Sequence, residues 1–375
     1  MLNVPFLALS RESERAREEF EGAFRRVTER GHYVLGPELE AFEAEFAAWL
    51  GVRHAVGVGS GTDAIALALE ATGAVTPGAG DEVLTPALSA AFTALAIHRA
   101  GAVPRFVDVD PATLQIDPAR LERAISPRAR AIVPVHLYGN ACDIAAVCEA
   151  ARARGLVVIE DACQAHGSRV AGRALGAFGA AGCFSFYPTK NLGALGDGGL
   201  VATDDEELAR RARKLRHGGQ SSTYCHELLG INSRLDELQA ALLRSKLARL
   251  EARNRRRREL AARYDQALSG LPLRLVQPPE GCESSRHLYV ARARSGAERD
   301  QLRAHLRDRG IETLVHYPLP LPLQPALRPF VPAGEEFPAA EAAAREVVSL
   351  PLYPELGDDE LAAVVEGVLS FFGRA

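Results

Sequence analysis

Lysine is nearly missing from this chain. Its 375 residues include three, Lys190, Lys214 and Lys246, against 41 arginines. Positive charge is therefore almost always carried by a group that keeps its proton, whereas a lysine can release its proton and form a Schiff base. Other absences narrow the field. No apolar run approaches the ~18 residues of a membrane-spanning helix, and no N-terminal signal pattern is present, so a cytoplasmic protein without a membrane partner is expected. The net charge of −4 speaks against nucleic acid as a partner. The six cysteines, Cys142, Cys148, Cys163, Cys183, Cys225 and Cys282, contain no CxxC pair. Neither a disulfide framework nor a metal site is expected, and they read as free, mostly buried thiols. Internal repeats and low-complexity tails are missing too.

What is present is an alternation of strands and helices. Residues 12–29 and 37–50 read as amphipathic helices, the second opened by Gly36-Pro37. HAVGV (54–58), DEVLTPA (81–87), VPRFVDVD (103–110), AIVPVHLYG (131–139), LVVIEDA (156–162) and GLVATDD (199–205) read as strands, with helices between them. Their near-continuous apolar runs suit a mostly parallel sheet covered on both faces, a doubly wound α/β fold. A long helix is expected from about 233 to 268. Its basic run Arg253–Arg258 reads as solvated surface. Proline-rich joints beyond Gly270 separate strand-like HLYVARA (287–293) and ETLVHY (312–317) from helices at 297–309, 339–348 and 358–372. The expectation is a large cofactor-binding domain over 1–250 and a smaller α+β domain over 251–375.

Three features carry chemistry. GVGSGTDA (57–64) lies between a strand and a helix, where backbone amides and the Thr62 hydroxyl can seat a phosphate. A dinucleotide fingerprint is the rival, but its third glycine would fall at Thr62. Asp161 ends the strand LVVIED, at the edge where open parallel sheets present ligands. An acid there can keep a heteroaromatic nitrogen protonated, or merely cap a turn. Glu160 should point away by strand alternation. Gln164 and His166 follow on the same loop. Lys190 sits where the strand CFSFY breaks at Pro188 and enters a glycine-rich loop, while Lys214 and Lys246 read as helix surface. Phosphate, pyridinium nitrogen and aldehyde are the three demands of pyridoxal phosphate.

The motifs GHYVLGPELEAFEAEFA, GSGTDA, PVHLYGN, IEDACQAHG, SFYPTKNLGALGDGG, NSRLDELQAAL and VHYPLP resemble those of the DegT/DnrJ/EryC1/StrS sugar aminotransferases, within the fold-type-I pyridoxal-phosphate enzymes. The resemblance covers nearly the whole chain. It implies Lys190 as the Schiff-base lysine and acid/base, Asp161 on the pyridine nitrogen and Gln164 near the ring hydroxyl. It implies Gly61, Thr62 and Ser185 at the phosphate, and Asn232 reaching the phosphate of a neighbouring subunit in a homodimer. Tyr187, His316 and Tyr317 would border the sugar. Gly193, Gly196 and Gly198 would let the backbone turn beneath the ring.

Two positions depart from the pattern. Ala90 stands where many relatives have an aromatic residue that stacks on the cofactor, with Phe92 as the nearest substitute or else an ordinary core residue. Pro322 stands where His is frequent. The activity implied is amination of a nucleotide-linked keto-sugar, closest to a dTDP-3-keto-6-deoxyhexose, with glutamate as donor. Amination at C4, an aminodehydratase of cyclic substrates and a non-catalytic regulatory homologue are the alternatives.

Overall fold

The computed structural model describes residues 2–373. In chain order its first strands are β1 (His54–Val58), β2 (Glu82–Pro86), β3 (Val103–Val107), β4 (Ala129–Ile132), β5 (Val157–Asp161), the short β6 (Arg169–Val170) and β7 (Arg173–Ala174), β8 (Ala181–Ser185) and β9 (Gly199–Thr203). Seven of them form one sheet in the order β1-β9-β8-β5-β4-β2-β3, in which β9 runs antiparallel to both neighbours and all other pairs are parallel. All five residues of β2 and of β9 are buried, because helices cover both faces. Leu84, Ile132 and Val158 enter one core, while their neighbours Val83, Ala131 and Ile159 enter the other, as strand alternation requires.

The helices are α1 (Leu9–Arg15), α2 (Arg17–Arg30), α3 (Pro37–Leu50), α4 (Gly61–Thr72), α5 (Ala91–Arg99), α6 (Pro118–Ala124), α7 (Ile144–Ala153), α8 (Glu206–Leu215), α9 (Glu237–Leu247) and α10 (Leu250–Ala267). The helix expected over 12–29 is thus two, broken at Ala16, and the one expected over 233–268 is also two, redirected at Ala248–Arg249. The Glu237 carboxylate caps α3, accepting from the amides of Gly36, Glu38 and Leu39 at 2.8–3.0 Å. This is how an acid 200 positions away can sit fully buried, charge-assisted at a helix N-terminus.

Beyond α9 the chain leaves the large sheet. Leu250 packs in the core of that sheet, whereas Leu260 and Tyr264 of the same α10 pack in another core, around β10 (Arg274–Leu275), β11 (Tyr289–Arg292) and β12 (Val347–Leu350). Helices α11 (Gly296–Arg307), α12 (Pro338–Glu346) and α13 (Asp358–Phe371) complete this part. The helix expected to reach residue 348 stops at Glu346, because Val347–Leu350 is a fully buried strand opening on two β-branched residues. ETLVHY forms only a bridge, Leu314 to Ser349.

Several surface assignments change. Arg257 is buried and donates to the Leu352 carbonyl at 2.7 Å, and burial lowers its pKa to about 10. Arg253 reaches Glu355 at 2.6 Å. Arg253 and Arg257 thus join packed elements, while Arg255 of the same run is exposed, so only part of the run is the solvated face expected. Lys246 is likewise buried, 3.0 Å from Glu12. Of the six free cysteines only Cys142 and Cys183 are buried, and Cys225 is exposed. No helix among the described residues is long and apolar enough to cross a membrane.

Candidate active site

The site assembles at the carboxyl edge of β5 and β8 and the N-terminus of α4. Ser60 caps α4 by accepting from the Asp63 amide at 3.1 Å, which leaves the Gly61 and Thr62 amides at the positive end of the helix dipole. Asp63 would oppose an anion there, but its carboxylate is engaged by Arg99 and by Ser233, whose hydroxyl donates to it at 2.6 Å. Gly61 is required by close approach. A Cβ on it would lie 2.7 Å from the Ser185 Cβ and 2.8 Å from the Cys163 Sγ. The phosphate seat, the end of β8 and the loop after β5 thus meet at one residue.

Asp161 is the last residue of β5 and is buried. Its Oδ2 accepts from the Thr93 hydroxyl at 2.7 Å and its Oδ1 from the Cys163 amide at 3.1 Å. A carboxylate has about four lone-pair sites, so acceptor capacity remains for a protonated ring nitrogen. Glu160 turns away, accepting from His136 and from the amides of Gly176, Phe178 and Gly179. The Cys142 amide donates to His136 Nδ1, so Nε2 carries the proton that reaches Glu160. Gln164 is buried with its Oε1 accepting from the Tyr138 amide at 2.8 Å and its Nε2 donating to the Tyr317 hydroxyl at 2.9 Å.

Lys190 opens the loop that follows β8. Its amide bonds the Tyr187 carbonyl at 2.8 Å, and the loop returns to Phe186 through Ala194 and Gly198. Gly193 permits that return, since a Cβ there would meet the Pro188 carbonyl oxygen at 2.3 Å. None of Gly193, Gly196 and Gly198 has a left-handed backbone, and the space beside Gly196 is open to Gln239. The next residue, Asn191, anchors the loop in the interior. Its Nδ2 donates to Asn254 Oδ1 and the Ser285 carbonyl, both at 2.9 Å, and its Oδ1 accepts from His287 Nδ1 at 3.0 Å.

Among the described residues no acid lies within ion-pair distance of the Lys190 amine. Burial lowers its pKa, against opposing effects of Cys163 and Asp161. Three histidines lie within reach of its charge and stay neutral. Burial brings His166 to about 3 and His316 to about 4, and holds His287 well below the usual value, with Lys190 adding to each.

The other expected residues fall around this centre. Tyr317 and His316 are partly buried, the latter with Nδ1 2.8 Å from the Ser349 hydroxyl. Tyr187 is exposed, and so is Asn232, beside the Ser233 that bonds Asp63 and the Gly59 amide. Pro322 is buried in a short turn whose Leu321 amide donates to the Ala87 carbonyl at 2.8 Å. Phe92 is 64% exposed and so is not a core residue. Helical spacing turns its neighbour Thr93 inward to Asp161. Thr93, Tyr138, Asn191 and His287 were not read as site residues. Only the placement of Thr93 near the carboxyl end of β2 could have drawn attention to one of them.

This donor set fits pyridoxal phosphate. Helix-terminal amides and the Ser185 hydroxyl suit the phosphate, Asp161 suits the ring nitrogen, and an unpaired amine of lowered pKa suits the aldehyde. Protein, sheet and site together are those of a pyridoxal-phosphate-dependent aminotransferase of fold type I. The DegT/DnrJ/EryC1/StrS aminotransferase family model matches residues 14–369, and the chain belongs to that family. The dTDP-3-amino-3,4,6-trideoxy-alpha-D-glucose transaminase of Streptomyces venezuelae is 47% identical over 372 residues, covering 99% of this chain and 97% of its own. The crystal structure of S. venezuelae DesV in complex with a ketimine intermediate has a TM-score of 0.96 at 46% identity, covering all of both chains. NtdA of Bacillus subtilis, solved with bound cofactor PMP, has a TM-score of 0.92 at 34% identity over all of this chain and 86% of its own.

Proposed function

We propose that this enzyme transfers the amino group of an amino acid, L-glutamate, to the keto carbon of a nucleotide-linked hexose, a dTDP-3-keto-6-deoxyhexose, within amino-sugar and polysaccharide biosynthesis. The observation that carries the reading is Lys190, an amine of lowered pKa without an acidic partner among the described residues, on the loop after Ser185, which abuts the helix-terminal anion seat at Gly61, and within reach of the charge of Asp161. The named 3-amino-sugar transaminase at 47% identity supports the choice of sugar.

When bound, pyridoxal phosphate supplies an aldehyde that carries the amino group between substrates and a ring that accepts the electrons of a neighbouring carbanion. The chain does the rest. Lys190 would hold the aldehyde, and its Nζ, when free, would be the base for the proton on the donor's α-carbon. Its lowered pKa leaves more of the neutral base at neutral pH. Asp161 keeps a proton on the ring nitrogen, and the Thr93 hydroxyl holds that carboxylate in place. Gly61, Thr62 and Ser185 hold the phosphate, and Gln164 donates to the ring hydroxyl. Tyr187, His316 and Tyr317 border the sugar.

A homodimer completes the site. Exposed apolar side chains sit on the site's own segments, with Tyr187 and Leu195 on the Lys190 loop and Phe92 and Leu95 on α5. Tyr224 is 90% exposed and Leu229 wholly so, in the segment leading to Asn232. Patches of this kind mark a contact surface, and Asn232 reaches the partner's phosphate seat across it.

The test is an assay of purified enzyme with L-glutamate and dTDP-3-keto-6-deoxyhexose, following 2-oxoglutarate and the amino sugar by mass. Amination of cyclic non-nucleotide ketones alone, or of the 4-keto isomer alone, would refute the assignment.

A further inference from the structure

Gln164, Tyr138 and Tyr317 close a hydrogen-bonded circuit that the sugar pocket does not require. The Tyr138 amide takes Gln164 Oε1, so the orientation of the amide group is fixed and Nε2 faces Tyr317. The Tyr138 hydroxyl donates to the carbonyl of His316, the residue before Tyr317. Tyr138 is fully buried with a left-handed backbone, φ 65°, and it grips both ends of the pair from one position. The Tyr317 hydroxyl thus accepts from Gln164, and its own proton has no acceptor among the described residues. The second proton of Gln164 Nε2 has none either. Two donors therefore stand side by side, Gln164 three residues after Asp161 and Tyr317 brought to it from 153 positions further along the chain. Burial pushes Tyr317 up to about 12, with the charge of Asp161 and the Cys163 thiol adding to the shift, so the hydroxyl remains a donor at neutral pH.

We propose that Tyr317 is a positioning residue for the cofactor, sharing with Gln164 the task of donating to the ring hydroxyl oxygen, rather than only a wall of the sugar pocket. This rests on the proposed function, since it needs pyridoxal phosphate in the seat. Two converging donors suit an oxygen that gains negative charge. A sugar oxygen has the same acceptor chemistry, so the decisive measurement is made with cofactor and no sugar.

The experiment is a pH titration of the visible absorbance of the holoenzyme, comparing wild type with Tyr317→Phe and Tyr138→Phe. A hydroxyl deprived of a donor keeps its proton to higher pH. The Tyr317→Phe midpoint should rise by roughly one pH unit, the scale of one hydrogen bond, or the variant should bind the cofactor about tenfold more weakly. Tyr138→Phe, which frees the His316 carbonyl but leaves both donors, should shift the midpoint less and in the same direction, and it serves as the readout if Tyr317→Phe does not fold. Unchanged midpoint and cofactor affinity in both variants, with a raised KM for the sugar in Tyr317→Phe, would overturn the proposal and leave Tyr317 a sugar contact. A wild-type protein that takes up no cofactor would overturn the functional reading itself.

Discussion

The Thr93 hydroxyl donates to Asp161 Oδ2 at 2.7 Å although 68 positions separate the two residues. The bond joins the start of α5 to the end of β5, so the acid is aimed by a neighbouring crossover and not by its own loop alone. Hydrogen bonds to charged groups contribute about 1.5–3 kcal/mol. Thr93→Val, which keeps the shape and removes the donor, should weaken cofactor binding or kcat/KM roughly 10- to 100-fold, while Thr93→Ser should retain most of both. Titrating apoprotein with pyridoxal phosphate measures this. A Thr93→Val protein indistinguishable from wild type would mean that Asp161 needs no such support.

Lys190 should be the residue that borohydride fixes to the cofactor. The alternatives are engaged elsewhere, Lys246 with Glu12 in the interior and Lys214 with Glu227 at 2.5 Å. Reduction should bleach the visible band, and peptide mapping should find the label on Lys190. Lys190→Ala should lose turnover by at least about 10⁴-fold, as expected when a nucleophile and proton carrier are removed together. A label on Lys214 or Lys246 would transfer the chemistry to another site.

The contrast between these residues shows what a sequence displays. Lys190, Asp161 and Gly61 could be found because each marks a change in local grammar, a strand ending or a helix beginning with an unusual residue. Strand positions were legible for the same reason, since buried parallel strands are short apolar runs between turn residues. Thr93, Tyr138, Asn191 and His287 look ordinary in their local setting, and their roles exist only through partners brought by the fold. Lys246 and Arg257 misled for the converse reason. A charged residue in a helical stretch reads as surface, and only the packing of α10 between two cores shows that Arg257 is buried. Val347 and Val348, the first half of a four-residue strand, were absorbed into a helix because so short a strand carries too little periodicity to separate it from α12.

Complementation between impaired chains tests whether the site is shared between subunits. Lys190→Ala and Asn232→Ala should each be impaired alone. If Asn232 serves the partner, a dimer of one chain of each kind has one site with both residues intact. Random pairing of the refolded mixture then restores about a quarter of wild-type activity. A mixture no more active than its components would place Asn232 within its own chain's site, and sedimentation of the wild type as a monomer would remove the premise.

Acid stability should depend on the histidines around Lys190. His166 packs against the rings of Phe184 and Phe186, 5.4 and 5.9 Å away between centroids, and neither of its nitrogens has a hydrogen-bond partner among the described residues. Burial and the Lys190 charge bring its pKa in the folded state to about 3, whereas an unfolded histidine titrates near ~6.5. Between those values the unfolded chain binds a proton that the folded chain refuses, so folding loses stability as pH falls from ~6.5 toward ~3, by up to roughly 1.4 kcal/mol per pH unit. His287 and His316 act in the same sense. Paired carboxylates also weaken in acid, so the useful quantity is a difference. His166→Leu removes one titrating group while leaving the carboxylates alone. Urea unfolding at pH 7, 6, 5 and 4.5 should show the wild type losing its advantage over His166→Leu, or falling further behind it, by up to roughly 2–3 kcal/mol across the series. A gap that does not change with pH would mean that His166 is charged, or paired, in the folded protein.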